Sequence, residues 1–264
     1  MEESQAIENT GESRINRLLK QCPEGAPMTS VWLENNGVTP QLAARYKKSG
    51  WLSPLGRGAW IRSGKKLDWR AGIYALQSQQ NLQVYPAGKT ALELLGRGHY
   101  VPMGKTPPIQ LSIPDKERLP DWFKKQPFAA NLMVLNSSVL FDPVYTALTT
   151  WDGADYAIKI STPERAMLEL CHLLPQKADT EEVKLLMQGL TSLRPQLVQK
   201  TLLECQSVKA KRLFLVLAEM SGHAWFQKLD IEQLELGKGK RVLPVEGKLD
   251  PRFQITVPQT WMEE

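Results

Sequence analysis

Residues 39–48, Thr-Pro-Gln-Leu-Ala-Ala-Arg-Tyr-Lys-Lys, carry an unusually complete set of helix-start signals. Thr39 supplies a capping hydroxyl, and Pro40 takes the first helical position, where its missing N–H costs nothing. In the helix this starts, Leu42 and Tyr46 lie four apart and face inward. Gln41, Arg45 and Lys48 fall at i, i+4 and i+7 on another face, with the small Ala44 among them. Long donors around a small residue suit a helix that must approach bases and phosphates closely.

The flanks turn this helix into a module. Thr29 or Ser30 starts a short helix through Val31, Trp32 and Leu33, and Asn35-Asn36-Gly37 stops it with residues that tolerate a left-handed backbone. After Ser49-Gly50 a strand begins at Trp51-Leu52. Residues 53–58 turn the chain, and 59–62 return it with Arg57 near the tip. Short helix, turn, basic helix and hairpin over 28–62 form the pattern of a winged helix-turn-helix, which sets one helix in a groove of duplex DNA and lays a hairpin beside it. Arg45, Lys48 and Arg57 are the expected phosphate contacts. Thr39 and Gln41 are expected at base edges or as backbone positioners, and Lys47 and Arg62 complete the candidate DNA-binding set.

Charge placement agrees. The chain has 264 residues and a net charge of +5, yet 14–70 holds 11 Lys and Arg against three acids, a balance of +8. From 71 onward the counts are 22 and 21, so a basic module sits on a nearly neutral body. A hydrophobic content of 42% and a charged content of 23% are those of an ordinary globular protein. No apolar run approaches the ~20 residues of a membrane span. The acidic, polar start, which reads as disordered through Gly11, has no signal-peptide core, so a cytoplasmic address and no membrane partner are expected.

Further along, Ser13 caps a first helix with Ile15, Leu18 and Leu19 inside, and 68–79 gives another helix carrying Trp69, Ile73 and Leu76. Strands are expected at 82–85, 109–113, 132–135 and 156–160, with 121–125 as a helical turn or surface segment. Thr162-Pro163-Glu164 starts a helix running to Pro175, and helices are expected over 180–190, 195–205 and 208–220. The tail reads as strands at 241–245 and 253–257. The fold class is α+β: a winged helix-turn-helix over 1–86, then a larger mixed α+β domain over 87–264.

That second domain shows little chemistry. Gly88-Lys89-Thr90 before a helix resembles the end of a phosphate-binding loop, but the motif needs Gly at 83, where Gln stands. A capped structural helix is the better reading. His99, in a Gly-rich turn, has no paired acid or Cys. Glu246-Gly247-Lys248, with Asp230 or Asp250, matches part of a nuclease pattern, but Gly is a poor strand centre and Asp250 comes too late. Cys22, Cys171 and Cys205 share no metal-ligand spacing, and the last two sit in Leu-rich helices as small hydrophobes. Neither an enzyme nor a cofactor nor a metal is implied. The basic runs Lys209-Lys211-Arg212 and Lys238-Lys240-Arg241 could contact DNA or an acidic partner, although a solvated face accounts for each taken singly.

The residues also carry a resemblance. Trp32-Leu33 before Gly37-Val38, Leu42 to Tyr46 with Lys48-Ser49-Gly50-Trp51-Leu52, and the Gly-Arg-Gly wing resemble the N-terminal winged helix of AbiEi-type antitoxins from abortive-infection type IV toxin–antitoxin pairs. Residues 88–96 with His99-Tyr100, and 161–166 with Glu169-Leu170, resemble that family's second domain, so the likeness runs to about Pro175. It implies two jobs: autorepression through inverted repeats of double-stranded promoter DNA, and neutralisation of a cognate AbiEii nucleotidyltransferase toxin without a stable complex. The residues support the first job independently and are silent on the second. A winged-helix regulator that senses a ligand and has no toxin partner is the alternative.

Overall fold

A computed structural model describes residues 13–98, 107–243 and 247–261. The disordered N-terminus expected through Gly11, His99 and the Glu246 of the nuclease-like triplet lie outside the described residues. Two compact units are present. One holds the chain up to Asn81 with Pro120–Gln126 and Ala154–Tyr156, and the other holds Leu82–Leu119, Pro127–Gly153 and the chain from Ala157 onward.

The first unit begins with α1 (Arg14–Gln21), β1 (Met28–Thr29), α2 (Ser30–Asn35) and α3 (Pro40–Lys48). β2 (Leu52–Gly56), β3 (Ala59–Arg62) and α4 (Trp69–Gln79) complete its continuous part. Helix starts follow side-chain chemistry: Ser13, Thr29, Thr39 and Asp68 each accept a backbone N–H of the first turn, from Asn16, Trp32, Leu42 and Arg70. β3 lies between β1 and β2, antiparallel to both. Helix, strand, two helices and a two-stranded wing closed by the first strand make a winged helix-turn-helix. Its core gathers Ile15, Leu18, Leu33, Val38, Ala43 and Leu52. In α3 the fully buried residue is Ala43 at 3% exposure, while the expected inward pair Leu42 and Tyr46 is half-buried. A short side chain at the closest contact lets the larger pair cover its flanks. The Gln79 side chain ties α4 to β1, accepting the Thr29 N–H and donating to the Pro27 carbonyl, each at 2.8 Å.

The chain continues through β4 (Tyr85–Pro86), α5 (Gly88–Leu94), β5 (Ile109–Ile113) and α6 (Asp121–Lys124). The strand expected over 82–85 shrinks to the two residues that pair with β5. α6 returns to the first unit. Trp122 and Phe123 are 1% and 0% exposed, so this stretch is buried anchor rather than surface. Asp121, Lys124 and Lys125 carry its exposed side, and the two lysines pair with Asp121.

β6 (Leu132–Asn136), α7 (Ser137–Leu140), β7 (Leu148–Asp152) and β8 (Ala157–Ser161) follow. β6 runs parallel to β5, and β7 pairs antiparallel with β8. β7 has no apolar alternation to announce it: Thr150 and Asp152 are exposed and the rest half-buried. α8 (Pro163–Leu173), α9 (Thr180–Gly189), α10 (Pro195–Glu204) and α11 (Val208–Met220) supply half of the second core. β9 (Gly247–Asp250) and β10 (Ile255–Pro258) form a terminal antiparallel pair. The strand expected at 241–245 is, within its described part, one bridge from Arg241 to Ile255. Gly247 does sit in a strand, because a Cβ there would meet the Val257 carbonyl oxygen at 2.0 Å.

An ion pair organises the second unit. Arg165 and Glu169 on α8 are both 0% exposed and joined at 2.8 Å. The guanidinium also donates to the carbonyls of Val144 and Thr146, each at 2.7 Å, and to the Ser112 hydroxyl at 3.1 Å. Glu169 accepts the Gly88 N–H at 2.8 Å and the Ser161 hydroxyl at 3.0 Å. Two charges thus hold α5, β5, β8 and the 144–146 segment, with each guanidinium nitrogen and each carboxylate oxygen bonded, as their burial demands. Gly88 is needed here twice over: its φ is +47°, and a Cβ would come within 2.2 Å of the Gln110 side-chain oxygen. Lys89 pairs with Glu182, and the Thr90 hydroxyl accepts the Gln110 N–H at 2.9 Å. Gly-Lys-Thr therefore joins helix to sheet.

Candidate nucleic-acid interface

α3 is presented on a braced turn. The Arg14 guanidinium of α1 donates to the Gly37 carbonyl at 2.9 Å, and the Asn36 amide donates to the Trp32 carbonyl at 2.8 Å. α2, the turn and α3 are thereby fixed in register before any ligand arrives, which lowers the ordering cost of binding. Thr39 is exposed, and its hydroxyl accepts the Leu42 N–H at 3.3 Å. That bond uses one lone pair and leaves the hydroxyl proton free to donate.

Gln41, Arg45, Lys47 and Lys48 are all exposed along α3, with exposed Ala44 leaving a shallow place among them. Arg57 is exposed at the wing tip, and Arg62 is exposed at the end of β3. The fold therefore brings the candidates onto two elements that succeed one another in the chain. Arg62 lies furthest along β3, where its charge adds a small attraction to Glu24. Hydrogen bonding and charge from Lys65, more than Arg62, hold the Glu24 carboxyl below its usual range.

Some basic neighbours are neutralised, whereas Arg17 and Lys66, like the candidates, form no ion pair among the described residues. Lys65 pairs with Glu24, Arg70 with Asp68, and Lys124 and Lys125 with Asp121. Among the described residues, Arg45, Lys47, Lys48, Arg57 and Arg62 form no ion pair. Unneutralised cations on a helix and a wing create the positive potential that attracts a phosphate backbone, and release of condensed counterions would drive the contact.

The wing has a support that sequence reading missed. Gly56 takes a φ of +148°, and a Cβ on it would stand 3.2 Å from the Trp122 Cα, so the wing packs directly on α6 beside its turn. The Gln126 amide donates to the Leu55 carbonyl at 3.2 Å beside it. The adjacent aromatic pair Trp122-Phe123 in a short polar stretch was the available signal.

The clusters weighed for catalysis contribute nothing comparable. No group of three or more metal-binding side chains occurs among the described residues. Asp250 is buried and accepts the Phe253 N–H, while Lys248 is exposed. No described helix is long and apolar enough to cross a membrane.

Family models match almost the whole length. Residues 11–103 match the N-terminal domain of the AbiEi antitoxin transcriptional regulators, and 106–258 match the model described as transcriptional regulator, AbiEi antitoxin, type IV TA system. No curated protein matches the chain. Among solved structures, the crystal structure of the RV2827C protein from Mycobacterium tuberculosis aligns over 92% of this chain and 89% of that one. Its TM-score of 0.59 at 16% identity makes it a likeness of fold. With both halves matched in order, the chain belongs to the AbiEi antitoxin family of transcriptional regulators from type IV toxin–antitoxin systems.

Proposed function

We propose that this chain represses its own operon by binding inverted repeats in the promoter, and that it counteracts a cognate AbiEii-type nucleotidyltransferase toxin. One observation carries the DNA half: the cations of α3 and the wing are all exposed on two successive elements and have no acidic partner among the described residues. In this reading Arg45, Lys48 and Arg57 supply phosphate contacts, Thr39 and Gln41 meet base edges or position the backbone, and Lys47 and Arg62 complete the DNA-binding set. One chain reading each half-repeat satisfies the symmetry of the site without a preformed dimer. The toxin half rests on membership of the family.

Salt-titrated shift assays with the promoter repeats test the reading. Arg57→Ala is expected to weaken binding evenly across sequences and to lower the salt slope by about one. Gln41→Ala is expected to change which bases are preferred, by about 1–3 kcal/mol at the position read. Unchanged affinity, slope and preference in both variants would remove the helix and wing from the interface. Co-expression with the neighbouring toxin separates the second job: an Arg45→Ala, Arg57→Ala chain should lose repression yet still rescue growth.

A further inference from the structure

The second unit contains two basic runs, and the fold uses them in opposite ways. Lys209, Lys211 and Arg212 on α11 turn inward. The Lys209 ammonium donates to the carbonyls of His172 and Leu174 at 2.7 and 2.8 Å, closing the end of α8. Lys211 and Arg212 are 5% and 3% exposed, so neither a solvated face nor a DNA contact describes this cluster. The Arg212 guanidinium donates to the carbonyls of Leu236, Gly237, Gly239 and Gln254 at 2.9, 3.0, 2.7 and 2.7 Å. One buried cation thus gathers the 236–239 backbone around itself.

That gathering fixes the second run. With the carbonyls of Gly237 and Gly239 drawn onto Arg212, the side chains of Lys238, Lys240 and Arg241 all stand exposed. Arg241 is also held by its backbone: its N–H donates to Gln254 at 2.9 Å, and its carbonyl accepts the Thr256 N–H at 2.8 Å. Three cations are therefore kept together on a braced loop, with no ion pair among the described residues and Glu235 as the one acid in 235–241. Burial first, and then the neighbouring Arg241 charge, lower the Arg212 pKa, so like charges do crowd there. A single exposed apolar neighbour, Val242, gives no anchor of the kind a protein interface is built on.

We propose that the loop 237–241 is a second polyanion site, separate from α3 and the wing, which takes backbone phosphates of nucleic acid without reading sequence. Lysine ammoniums are compact point charges suited to phosphate, and no aromatic side chain for base stacking stands in 235–241.

The full chain tests this in an Arg45→Ala, Lys48→Ala, Arg57→Ala background, which silences the first interface. Two probes are titrated with salt: a duplex of scrambled sequence and a single-stranded RNA. The background chain should still bind one or both. Adding Lys238→Ala and Lys240→Ala should lower affinity about tenfold or more near 0.1 M salt. It should also cut the salt slope by about 1.8 on duplex or about 1.4 on single strand, and the probe weakened more identifies the nucleic acid. Both lysines are exposed, so the thermal midpoint should not move. The site is overturned by a background chain that binds neither probe, by affinity and slope that survive the loop change, or by an equal loss in the control Lys177→Ala, Lys228→Ala. Polyglutamate is titrated alongside as an acidic-protein probe, and a loss confined to it also overturns the site. A wild-type chain with no preference for the promoter repeats sinks the operator reading and leaves the scrambled-duplex result standing.

Discussion

Cys22, Cys171 and Cys205 are held as thiols by burial. It raises Cys22 to about 12 and Cys205 to about 11, and pushes Cys171 higher still. An unfolded cysteine ionises near 8.5. The folded chain therefore binds more protons than the unfolded one above that pH, and stability present below about pH 8.5 is lost as pH rises through the folded values. Denaturation midpoints should stay level up to about pH 8.5 and fall from there toward pH 11. A thiol reagent at pH 8 should find no reactive cysteine until denaturant is added; prompt labelling of the native chain would contradict the burial. Cys171 and Cys205 were legible from their Leu-rich surroundings. Arg165 and Arg212 were not, because what permits a buried cation is a set of carbonyls far away in the chain: Val144 and Thr146 for one, Leu236 to Gln254 for the other. No local pattern announces such partners.

At the level of elements, the wing is readable and its support is not. Pro54, Gly56 and Gly58 mark the hairpin within a few residues, whereas α6 arrives more than sixty positions later as a single turn too short to show periodicity. The same asymmetry separates α8 and α11, whose caps and apolar runs announce them, from β7, whose half-buried Thr-rich strand does not. If α6 positions the wing, two changes should act alike. Gly56→Ala forces a Cβ to within 3.2 Å of Trp122 at a φ of +148° and should cost about 1–3 kcal/mol. Trp122→Ala, emptying a fully buried site, should cost about 3–5 kcal/mol. Both should weaken promoter binding at temperatures where the chain stays folded, and leave base preference unchanged because α3 is untouched. A shift in preference would mean that α6 supports the helix rather than the wing.

Across the whole molecule, the first unit is not a continuous stretch of chain. Its Pro120–Gln126 and Ala154–Tyr156 segments lie between parts of the second unit, so both ends of each are held by strands or loops of that unit. Loss of the second core should release the ends of α6 and loosen the wing, so the proposed promoter binding should depend on the stability of the second unit. The Arg165–Glu169 pair is the place to test this. Arg165→Met leaves Glu169 as an unpaired buried charge, and Glu169→Gln removes the partner of a buried guanidinium; each should cost about 3–5 kcal/mol. The double variant should cost less than the sum, with a coupling of at least about 1 kcal/mol. Hydrogen exchange then distinguishes the architectures. One cooperative molecule would lose protection at Ala43 of α3 and Ala166 of α8 by the same amount in Arg165→Met. Loss at Ala166 with full protection retained at Ala43 would show that the first unit keeps its fold whatever happens to the second, and the two inserted segments would then be passengers rather than struts.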